Sequence, residues 1–326
     1  MAMIYYFIVN QSGGSGNARR TWQCIHRLLK EQGIAYKAYP TRYEKHATLL
    51  AKKISLLPQK EIRLIVVGGD GTINEVLNGI HDFKKIRLGI IPTGSGNDFA
   101  RGLKLPKQPA AALKKILASD GKACIDLGQV TFHHGQKHLF GISSGVGLDA
   151  IVCRKVENSH LKKLLNRFRL GNLAYVLMTV QTLFSMKKHH VTVHINNDAK
   201  KPSQAGTLSD EQHSLQTRSF NKLIFLAGMN LPAEGGGVPM APHASAHDGM
   251  LSVCAANDVP KWRAFILLLY LTCGKHQGKK GVHLFHTTTL TLTSKTPMIL
   301  HSDGEYLGEV TEVTMEILPS KLHVLL

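Results

Sequence analysis

Short apolar runs alternate with helix-patterned segments through the first third of the chain. The clearest apolar runs cover residues 5–9, 62–67 and 86–91, and each has the length of a buried strand. Strands that alternate with helices predict a parallel sheet covered by helices. We therefore predict an α/β domain at residues 1–126.

Each of these three strands ends in a polar turn that is rich in glycine or contains proline. The turns begin at Asn10, Gly68 and Pro92. Ligands of open α/β sheets bind at the carboxyl ends of the strands, so the three turns are predicted to meet in one crevice.

The turn after the second of these strands, residues 68–72, has the sequence GGDGT. Its three glycines free the backbone for positive φ and expose N–H groups to a ligand. Thr72 and Glu75 have the spacing of a capping box, which predicts a helix whose positive end faces the turn. Asp70 would repel a bare phosphate, so it indicates a hydrated Mg²⁺ between the carboxylate and a nucleoside triphosphate. The alternative is a turn whose glycines serve only geometry.

After about residue 126 the pattern changes to short β-rich runs separated by turn signals. This pattern predicts a sandwich-like second domain at residues 127–314. A basic amphipathic helix is predicted at residues 161–169, and a polar loop or long hairpin tip at residues 196–221. The β-rich runs are residues 139–143, 191–195, 223–229, 251–255, 289–293, 298–301 and 313–318.

The chain of 326 residues is strongly basic, with 40 Lys and Arg against 22 Asp and Glu and a formal net charge of +18. Such a charge favours an anionic partner: nucleic acid, an anionic membrane surface or a phosphorylated ligand. Aromatic residues are only 6% and are not interleaved with a basic run, so we expect no nucleic acid partner. The helix at residues 161–169 would dock on anionic phospholipid headgroups, or would be an ordinary helix with a solvated basic face.

Cysteine usage and apolar runs indicate the compartment. The five cysteines are scattered and form no CxxC pair, which suits a reducing cytosol and argues against disulfides or a zinc site. The first residues lack a basic n-region and are typical of a first strand, not of a signal peptide. The longest apolar run, residues 264–273, is too short to cross a bilayer. We expect a cytoplasmic protein that is peripheral at the inner face of the membrane.

Neither the G-x-x-x-x-G-K-[ST] loop nor a G-x-G-x-x-G fingerprint in a βαβ unit is present in the sequence. Four other segments resemble signatures of the bacterial diacylglycerol kinases and related lipid kinases, a family that includes sphingosine and ceramide kinases. NAD kinases and phosphofructokinases share the first of them but lack the other three together. The segments are residues 68–75 (GGDGTINE), 92–101 (PTGSGNDFAR), 235–251 (containing GGG, APHA and DGML) and 301–306 (HSDGEY).

The resemblance implies an α/β nucleotide-binding domain of the NAD kinase and diacylglycerol kinase type, followed by a β-rich, sandwich-like C-terminal domain. It implies that ATP and Mg²⁺ bind in the cleft and that the acceptor is a lipid hydroxyl at a membrane surface, with diacylglycerol as the leading candidate. It also implies that the last strand, about residues 315–326, returns to the first domain. The sequence is compatible with a homodimer.

The catalytic residues that the resemblance implies are Asp70, Arg101, Asp303 and Glu305. Glu305 would be the general base that accepts the proton of the attacking hydroxyl. The glycine between Asp303 and Glu305 permits a sharp bend, so both carboxylates can face one site and one can raise the pKa of the other. A β-turn with two solvated acids is the alternative.

The resemblance also implies residues that bind ATP and a metal. A structural Mg²⁺ site would use Asp248 and the backbone carbonyls of Ser245 and Met250, although Asp248 could also be an ordinary turn residue. Arg19, Arg20 or Arg101 would supply positive charge to the nucleotide site. The residues implied to hold ATP are Asn10, Gln11, Ser12, Gly13, Gly14, Thr41, Gly68, Gly69, Asp70, Gly71, Thr72, Glu75, Ser95, Asn97 and Asp98.

Two alternative functions stay open. A kinase for NAD or another soluble metabolite would share the GGDGT sequence. A nucleotide- and membrane-binding protein without catalysis would keep the glycine turns, but the intact Asp70, Asp303 and Glu305 argue against it.

Overall fold

A computed structural model describes residues 3–11, 17–157, 171–196 and 216–326. The basic helix predicted at residues 161–169 lies outside the described residues, as do Ser12, Gly13 and Gly14.

The N-terminal part is an alternation of strands and helices, as the sequence predicts. Its strands lie in the order β4-β3-β1-β2, and all neighbouring pairs among them are parallel. The strands are β1 (Tyr5–Val9), β2 (Tyr36–Pro40), β3 (Ile62–Gly68) and β4 (Ile86–Pro92). The helices are α1 (Asn17–Glu31), α2 (His46–Ser55), α3 (Asp70–Leu77), α4 (Asp98–Gly102) and α5 (Pro109–Ala118).

The C-terminal part is rich in long antiparallel strands. Its strands are β5 (Ala123–Phe132), β6 (Gln136–Phe140), β7 (Ser143–Gly147), β8 (His189–Asn196), β9 (Gln216–Met229), β10 (Leu251–Asn257), β11 (Val282–Thr287), β12 (Thr289–Ser302) and β13 (Glu305–Val324). Its described helices are α6 (Leu148–Glu157), α7 (Gly171–Ser185) and α8 (Lys261–Thr272). In the described part of the chain, no helix has both the length and the apolar character needed to cross a membrane.

Three details differ from the predicted strands. The runs at residues 289–293 and 298–301 belong to one strand, β12, whose register against β13 shifts between them. The run at residues 139–143 is divided between the end of β6 and the start of β7. β9 begins at Gln216, inside the predicted polar loop, because it pairs there with β8.

The strand β13 joins the two parts into one sheet. Most of it pairs antiparallel with β12 and β5, whereas His323 and Val324 pair in parallel with β4. The last strand, which the resemblance implies returns to the first domain, therefore lies beside the N-terminal sheet. The order along the main path is β11-β10-β9-β7-β12-β13-β4-β3-β1-β2.

Separate apolar cores pack against different parts of this sheet. Two lie on the N-terminal sheet, one beneath α2 and α3 and one beneath α1 and α5. A third lies among the C-terminal strands, and a fourth between the sheet and the helices α6, α7 and α8. The carboxyl ends of β3 and β4 face the C-terminal part at a junction, called the cleft, where the Gly236 N–H meets Asp98 at the start of α4.

Candidate functional site

Two glycine turns approach each other at backbone distance. β3 and β4 are parallel, and their last residues, Gly68 and Pro92, are paired. A Cβ atom built on Gly69 would lie 2.9 Å from the Gly94 Cα atom, and one built on Gly94 would lie 2.7 Å from the Gly69 Cα atom. Only glycine allows this approach. The turns after β3 and β4 therefore meet at the edge where the sequence predicts a crevice.

The local structure of the turn after β3 differs from the prediction. None of Gly68, Gly69 and Gly71 has a positive φ, so these glycines provide close approach and not left-handed backbone. The helix α3 already begins at Asp70, with Gly69 as its N-cap and no side-chain capping bond. The predicted capping box is wrong.

The two side chains assigned to that capping box connect neighbouring elements. Thr72 Oγ1 accepts a hydrogen bond from Asn10 Nδ2 at 2.9 Å. Glu75 Oε2 accepts one from the Ala47 N–H at 3.0 Å. These bonds fasten the turn after β1 and the start of α2 to α3, because each reaches an element distant in sequence.

Asp70 connects the first glycine turn to the second. Its carboxylate accepts hydrogen bonds from the backbone N–H groups of Asp98 at 3.0 Å and Phe99 at 3.1 Å, which form the start of α4. Burial raises the pKa of Asp70, and these N–H groups and the Arg101 charge work against that rise. Asp70 therefore connects the two glycine turns, in addition to the metal contact predicted from the sequence.

A third glycine segment, from the C-terminal part, closes on the other two. The Gly236 N–H donates to Asp98 Oδ2 at 2.7 Å, and Arg101 forms an ion pair with Asp98. A Cβ atom on Gly237 would lie 2.9 Å from Arg101 Nη1. Burial is the main cause that raises the pKa of Asp98, and the Asp70 charge adds to it. Two carboxylates and one guanidinium thus share the meeting point of the three segments.

The bend predicted at Gly304 is a two-residue hairpin turn between β12 and β13. Asp303 and Gly304 both have positive φ, 49° and 86°, which is the conformation of a type I′ turn. The Asp303 carboxylate accepts hydrogen bonds from Asn74 Nδ2 and from the N–H groups of residues 141–143, at 2.8–3.0 Å. Burial is the largest cause that raises its pKa. Asp303 therefore fastens the hairpin to α3 and to the segment before β7.

Glu305 points to the first glycine turn. A Cβ atom built on Gly71 would lie 3.0 Å from Glu305 Oε1, so the carboxylate stands against the backbone of that turn. The structure thus brings the proposed general base to the GGDGT segment from the opposite end of the chain.

The other residues implied to bind ATP surround these turns in different ways. Asn97 has a left-handed backbone, and its side chain bonds to both the N–H and the carbonyl of Gly94, so it braces its own turn. Thr41 follows β2, and its N–H donates to the Val9 carbonyl at 2.9 Å. Gln11 and Ser95 are exposed in their turns. The ATP-binding role of all these residues stays a prediction.

The positive charge of the turns comes from one of the three predicted arginines. Arg101 lies at the meeting point, where it also donates to the Gly96 carbonyl at 2.8 Å. Arg19 and Arg20 are exposed on α1.

The segment predicted to bind a structural metal lies beside β13, where a Cβ atom on Gly249 would lie 3.8 Å from Pro319 Cγ. Asp248 is exposed, and its Oδ1 atom accepts a hydrogen bond from the Met250 N–H at 2.9 Å. Ser245 Oγ accepts one from the His247 N–H at 3.3 Å. The metal role of Asp248, Ser245 and Met250 stays a prediction.

An apolar cavity of about 210 Å³ adjoins the cleft on the C-terminal side. Its walls come from α6, α7, α8 and the strands beneath them. Glu234 and Gly235, which directly precede the segment that contacts Asp98 and Arg101, also line it. The cavity therefore reaches from the helical surface toward the glycine turns. Side chains from the helices include Leu148, Val152, Leu183, Phe265, Leu268 and Leu269.

Comparison with known families gives matches over nearly the whole chain. The family model for the diacylglycerol kinase catalytic domain matches residues 5–130. The model for the YegS C-terminal NAD kinase beta sandwich-like domain matches residues 142–326, which is more than half of the chain. The chain belongs to the diacylglycerol kinase and lipid kinase family. This family membership supports lipid kinase activity in general terms.

Individual relatives agree with this family. A Bacillus subtilis protein named "Putative lipid kinase YtlR" is 29% identical over 323 residues, covering 98% of each chain. A "Diacylglycerol kinase" of Staphylococcus haemolyticus is 27% identical over 304 residues, covering 93% of this chain and 82% of the relative. Among solved structures, "a putative diacylglycerol kinase from Bacillus anthracis str. Sterne" has a TM-score of 0.71 at 19% identity, covering 99% of this chain and 94% of that one. The last comparison shows that the fold is shared.

Sequence reasoning missed a polar cluster at the end of the apolar cavity that is nearest the glycine turns. His301 Nε2 lies 3.0 Å from Asp149 Oδ2, and Ser143 Oγ donates to Glu234 Oε2. The ligand atoms of Asp149, Glu234 and His301 all lie within 4.8 Å of one another. This set combines imidazole with oxygen ligands, whereas Mg²⁺ takes oxygen ligands. Two of these residues had a signal in the sequence, because each is an acidic residue beside a glycine-containing segment. Glu234 precedes GGG, and Asp149 follows GVGL.

Burial and charge set the protonation of this cluster. Burial raises the pKa of Glu234. Burial alone would lower the pKa of His301, but the Asp149 charge, with Glu234 and Asp303, raises it to about 9. The Asp149 charge therefore favours the protonated imidazolium of His301 at neutral pH.

Sequence reasoning also missed Asp126, a buried residue between the two parts of the fold. Its carboxylate accepts the Gly249 N–H at 2.8 Å and the Ser320 N–H at 2.7 Å. These bonds connect the segment around Asp248 to β13. No spacing pattern marks a carboxylate whose partners lie 123 and 194 residues away.

Proposed function

We propose that this protein transfers the γ-phosphate of ATP to the hydroxyl group of a lipid, with Mg²⁺, and that diacylglycerol is the leading acceptor and phosphatidic acid its product. One observation carries the proposal: the cleft where three glycine segments meet Glu305 adjoins an apolar cavity through Glu234 and Gly235. A nucleotide cleft beside an apolar cavity suits a phosphate donor and an acceptor with hydrocarbon chains.

The glycine turns would hold the phosphates of ATP. Phosphoryl transfer requires mainly positioning and charge stabilisation from the protein. Gly69 and Gly94 bring the two turns into backbone contact, and Arg101 supplies the positive charge beside them. The helix α3 begins in the first of these turns, and its N-terminal end favours a bound anion, whereas the first N–H groups of α4 already donate to Asp70.

The residues present fit a hydrated Mg²⁺ ion. A Cβ atom on Gly96 would lie 3.1 Å from Asp70 Oδ2 and 3.4 Å from Asp98 Oδ2, so the two carboxylates converge on one point. Their mutual repulsion contributes to the raised pKa of Asp98. Asp70 and Asp98 would therefore hold the ion, since Mg²⁺ binds through one or two carboxylates and keeps several waters. When bound, it would offset negative charge on the phosphates.

Glu305 would accept the proton of the attacking lipid hydroxyl. Its carboxylate stands at the Gly71 backbone, on the same side as the phosphate-binding turn. Asp303, held by four N–H donors, fixes the hairpin that carries Glu305 and is a positioning residue.

A direct comparison of acceptors tests the proposed function. ADP release by the purified protein would be measured with diacylglycerol in mixed micelles and, separately, with NAD. We expect the lipid to stimulate ADP release and NAD to leave it at the background rate. Stimulation by NAD with none by any lipid would contradict the proposal and favour a soluble-metabolite kinase.

A further inference from the structure

The outer face of the helix α8 is apolar although it is exposed. The face consists of Trp262, Phe265, Ile266, Leu269 and Tyr270, at helical spacing. Trp262 is 63% exposed and Leu269 is 53% exposed. The opposite face packs on the core through Ala264, Leu267 and Leu271, so apolar residues lie on two opposite faces of the helix. Such a helix is not explained by packing within the described part of the fold alone.

These side chains form a patch and are not scattered. Of the twelve large apolar side chains that are exposed among the described residues, five lie on α8. A sixth, Phe184 at the end of α7, extends the patch, because Lys261 Nζ of α8 donates a hydrogen bond to its carbonyl. Contiguous exposed apolar surface indicates an interaction site.

The patch has positive charge around it. Residues 259–281 contain five Lys or Arg and no Asp or Glu. Arg263, Lys275 and Lys280 are exposed, and Lys279 Nζ lies 4.6 Å from the centre of the Tyr270 ring. Exposed Trp and Tyr beside Lys and Arg suit the interface of a bilayer that contains anionic lipids.

The same face borders the mouth of the apolar cavity. Phe265 and Leu269 both line the cavity and are exposed on the outer face, 36% and 53% respectively. A lipid that enters the cavity from a bilayer would pass these two side chains without crossing water, which removes the cost of exposing its chains.

We infer that the outer face of α8 lies on an anionic lipid bilayer and that the acceptor enters the cavity between Phe265 and Leu269. The docking part of this inference is independent of the enzymatic reaction, whereas the entry part rests on the proposed function. The helix is too short to span a bilayer and lies in its interface.

Vesicle binding tests the docking face. The chain has two tryptophans, so the full-length variant Trp22→Phe leaves Trp262 as the sole tryptophan. We expect its fluorescence to shift to shorter wavelength with vesicles of phosphatidylcholine and phosphatidylglycerol, and to be quenched when brominated lipid is included. In the otherwise native chain, Trp262→Ser with Ile266→Ser should lower vesicle binding at least about tenfold, since two apolar side chains leave the bilayer. Neither residue lines the cavity.

The matched control replaces exposed apolar residues elsewhere. Leu49→Ser with Leu56→Ser removes two side chains of similar exposure on and beside α2, and should leave vesicle binding unchanged. Circular dichroism and light scattering would verify that each variant is folded and report its mass.

Three results would overturn the docking inference. The first is the absence of quenching by brominated lipid. The second is equal vesicle binding by the Trp262/Ile266 variant and the native chain. The third is a native dimer that the variant converts to a monomer, which would show that the face is a contact between copies of the chain. Quenching with the expected loss of binding, but without phosphorylation of any lipid, would support the docking face and contradict the proposed function instead.

Discussion

The carboxylates at this site have two different roles. Asp70 and Asp303 accept hydrogen bonds from backbone N–H groups, whereas Glu305 faces the first glycine turn. Asp70 accepts two backbone N–H groups, and Asp303 accepts three together with an Asn74 side chain. The glycine turn after a strand located Asp70, because such turns are local signals, whereas the resemblance to a family located Asp303. Neither signal gave their partners, since these lie 28 to 229 residues away and depend on tertiary contacts.

At the residue scale, Glu305→Gln tests the assigned base. The amide keeps the size of the side chain but cannot accept the hydroxyl proton, so we expect turnover to fall by about 100-fold or more while nucleotide affinity stays nearly unchanged. Steady-state ADP release and nucleotide binding by calorimetry would measure the two quantities.

The matched control is Glu312→Gln, an exposed glutamate on the same strand. It should retain native turnover. Turnover by the Glu305 variant equal to that of the control would show that another group is the base.

At the element scale, the β12–β13 hairpin delivers Glu305 to the N-terminal turns. The Asp-Gly pair predicts its tight turn from sequence because both positions need positive φ. The contact between the hairpin and α3 was not predictable, since it requires β13 to continue across the molecule to β4.

The Asp303→Asn variant tests this attachment. An amide can still adopt the turn conformation but presents an NH₂ group to N–H donors, so we expect a loss of about 2–3 kcal/mol in the free energy of unfolding. Urea unfolding would measure it against Asp120→Asn, an exposed site where the change should stay within about 0.5 kcal/mol. Equal stability of the two variants would show that the Asp303 carboxylate does not stabilise the attachment of the hairpin to α3.

The ion pair between α6 and β12 predicts how stability depends on pH. The pKa of His301 rises from 6.5 to about 9 because the Asp149 and Glu234 charges outweigh the effect of burial. The folded state therefore binds this proton more tightly than the unfolded state. The stabilisation is fully present below pH 6.5 and is lost as pH rises through 9, and it amounts to about 3 kcal/mol at most.

Urea midpoints measured between pH 6 and 9.5 would check this decline. We expect His301→Gln to be less stable than the native protein at pH 6 and to show a flatter profile above it. The exposed His243→Gln is the control and should retain the native slope. A native slope in the His301 variant would show that other groups set the pH dependence.

At the scale of the whole molecule, one sheet carries both a polar cleft and an apolar cavity. The α/β part and the β-rich part were predictable because their periodicities differ. Their joining through β13 was implied by the resemblance to a family and not by local pattern. The cavity was not predicted, because its walls come from three helices and from strands that are far apart in the sequence.

Identification of the phosphorylated product would show whether this protein transfers phosphate to a lipid. A panel of lipid alcohols in mixed micelles, including diacylglycerol, a sphingoid base and phosphatidylglycerol, would be incubated with the protein, Mg²⁺ and ATP labelled at the γ-phosphate. We predict that the label appears in a lipid product, foremost in phosphatidic acid, and that Glu305→Gln forms none. Label that enters no lipid, while the same preparation phosphorylates NAD or another soluble alcohol, would contradict lipid kinase activity.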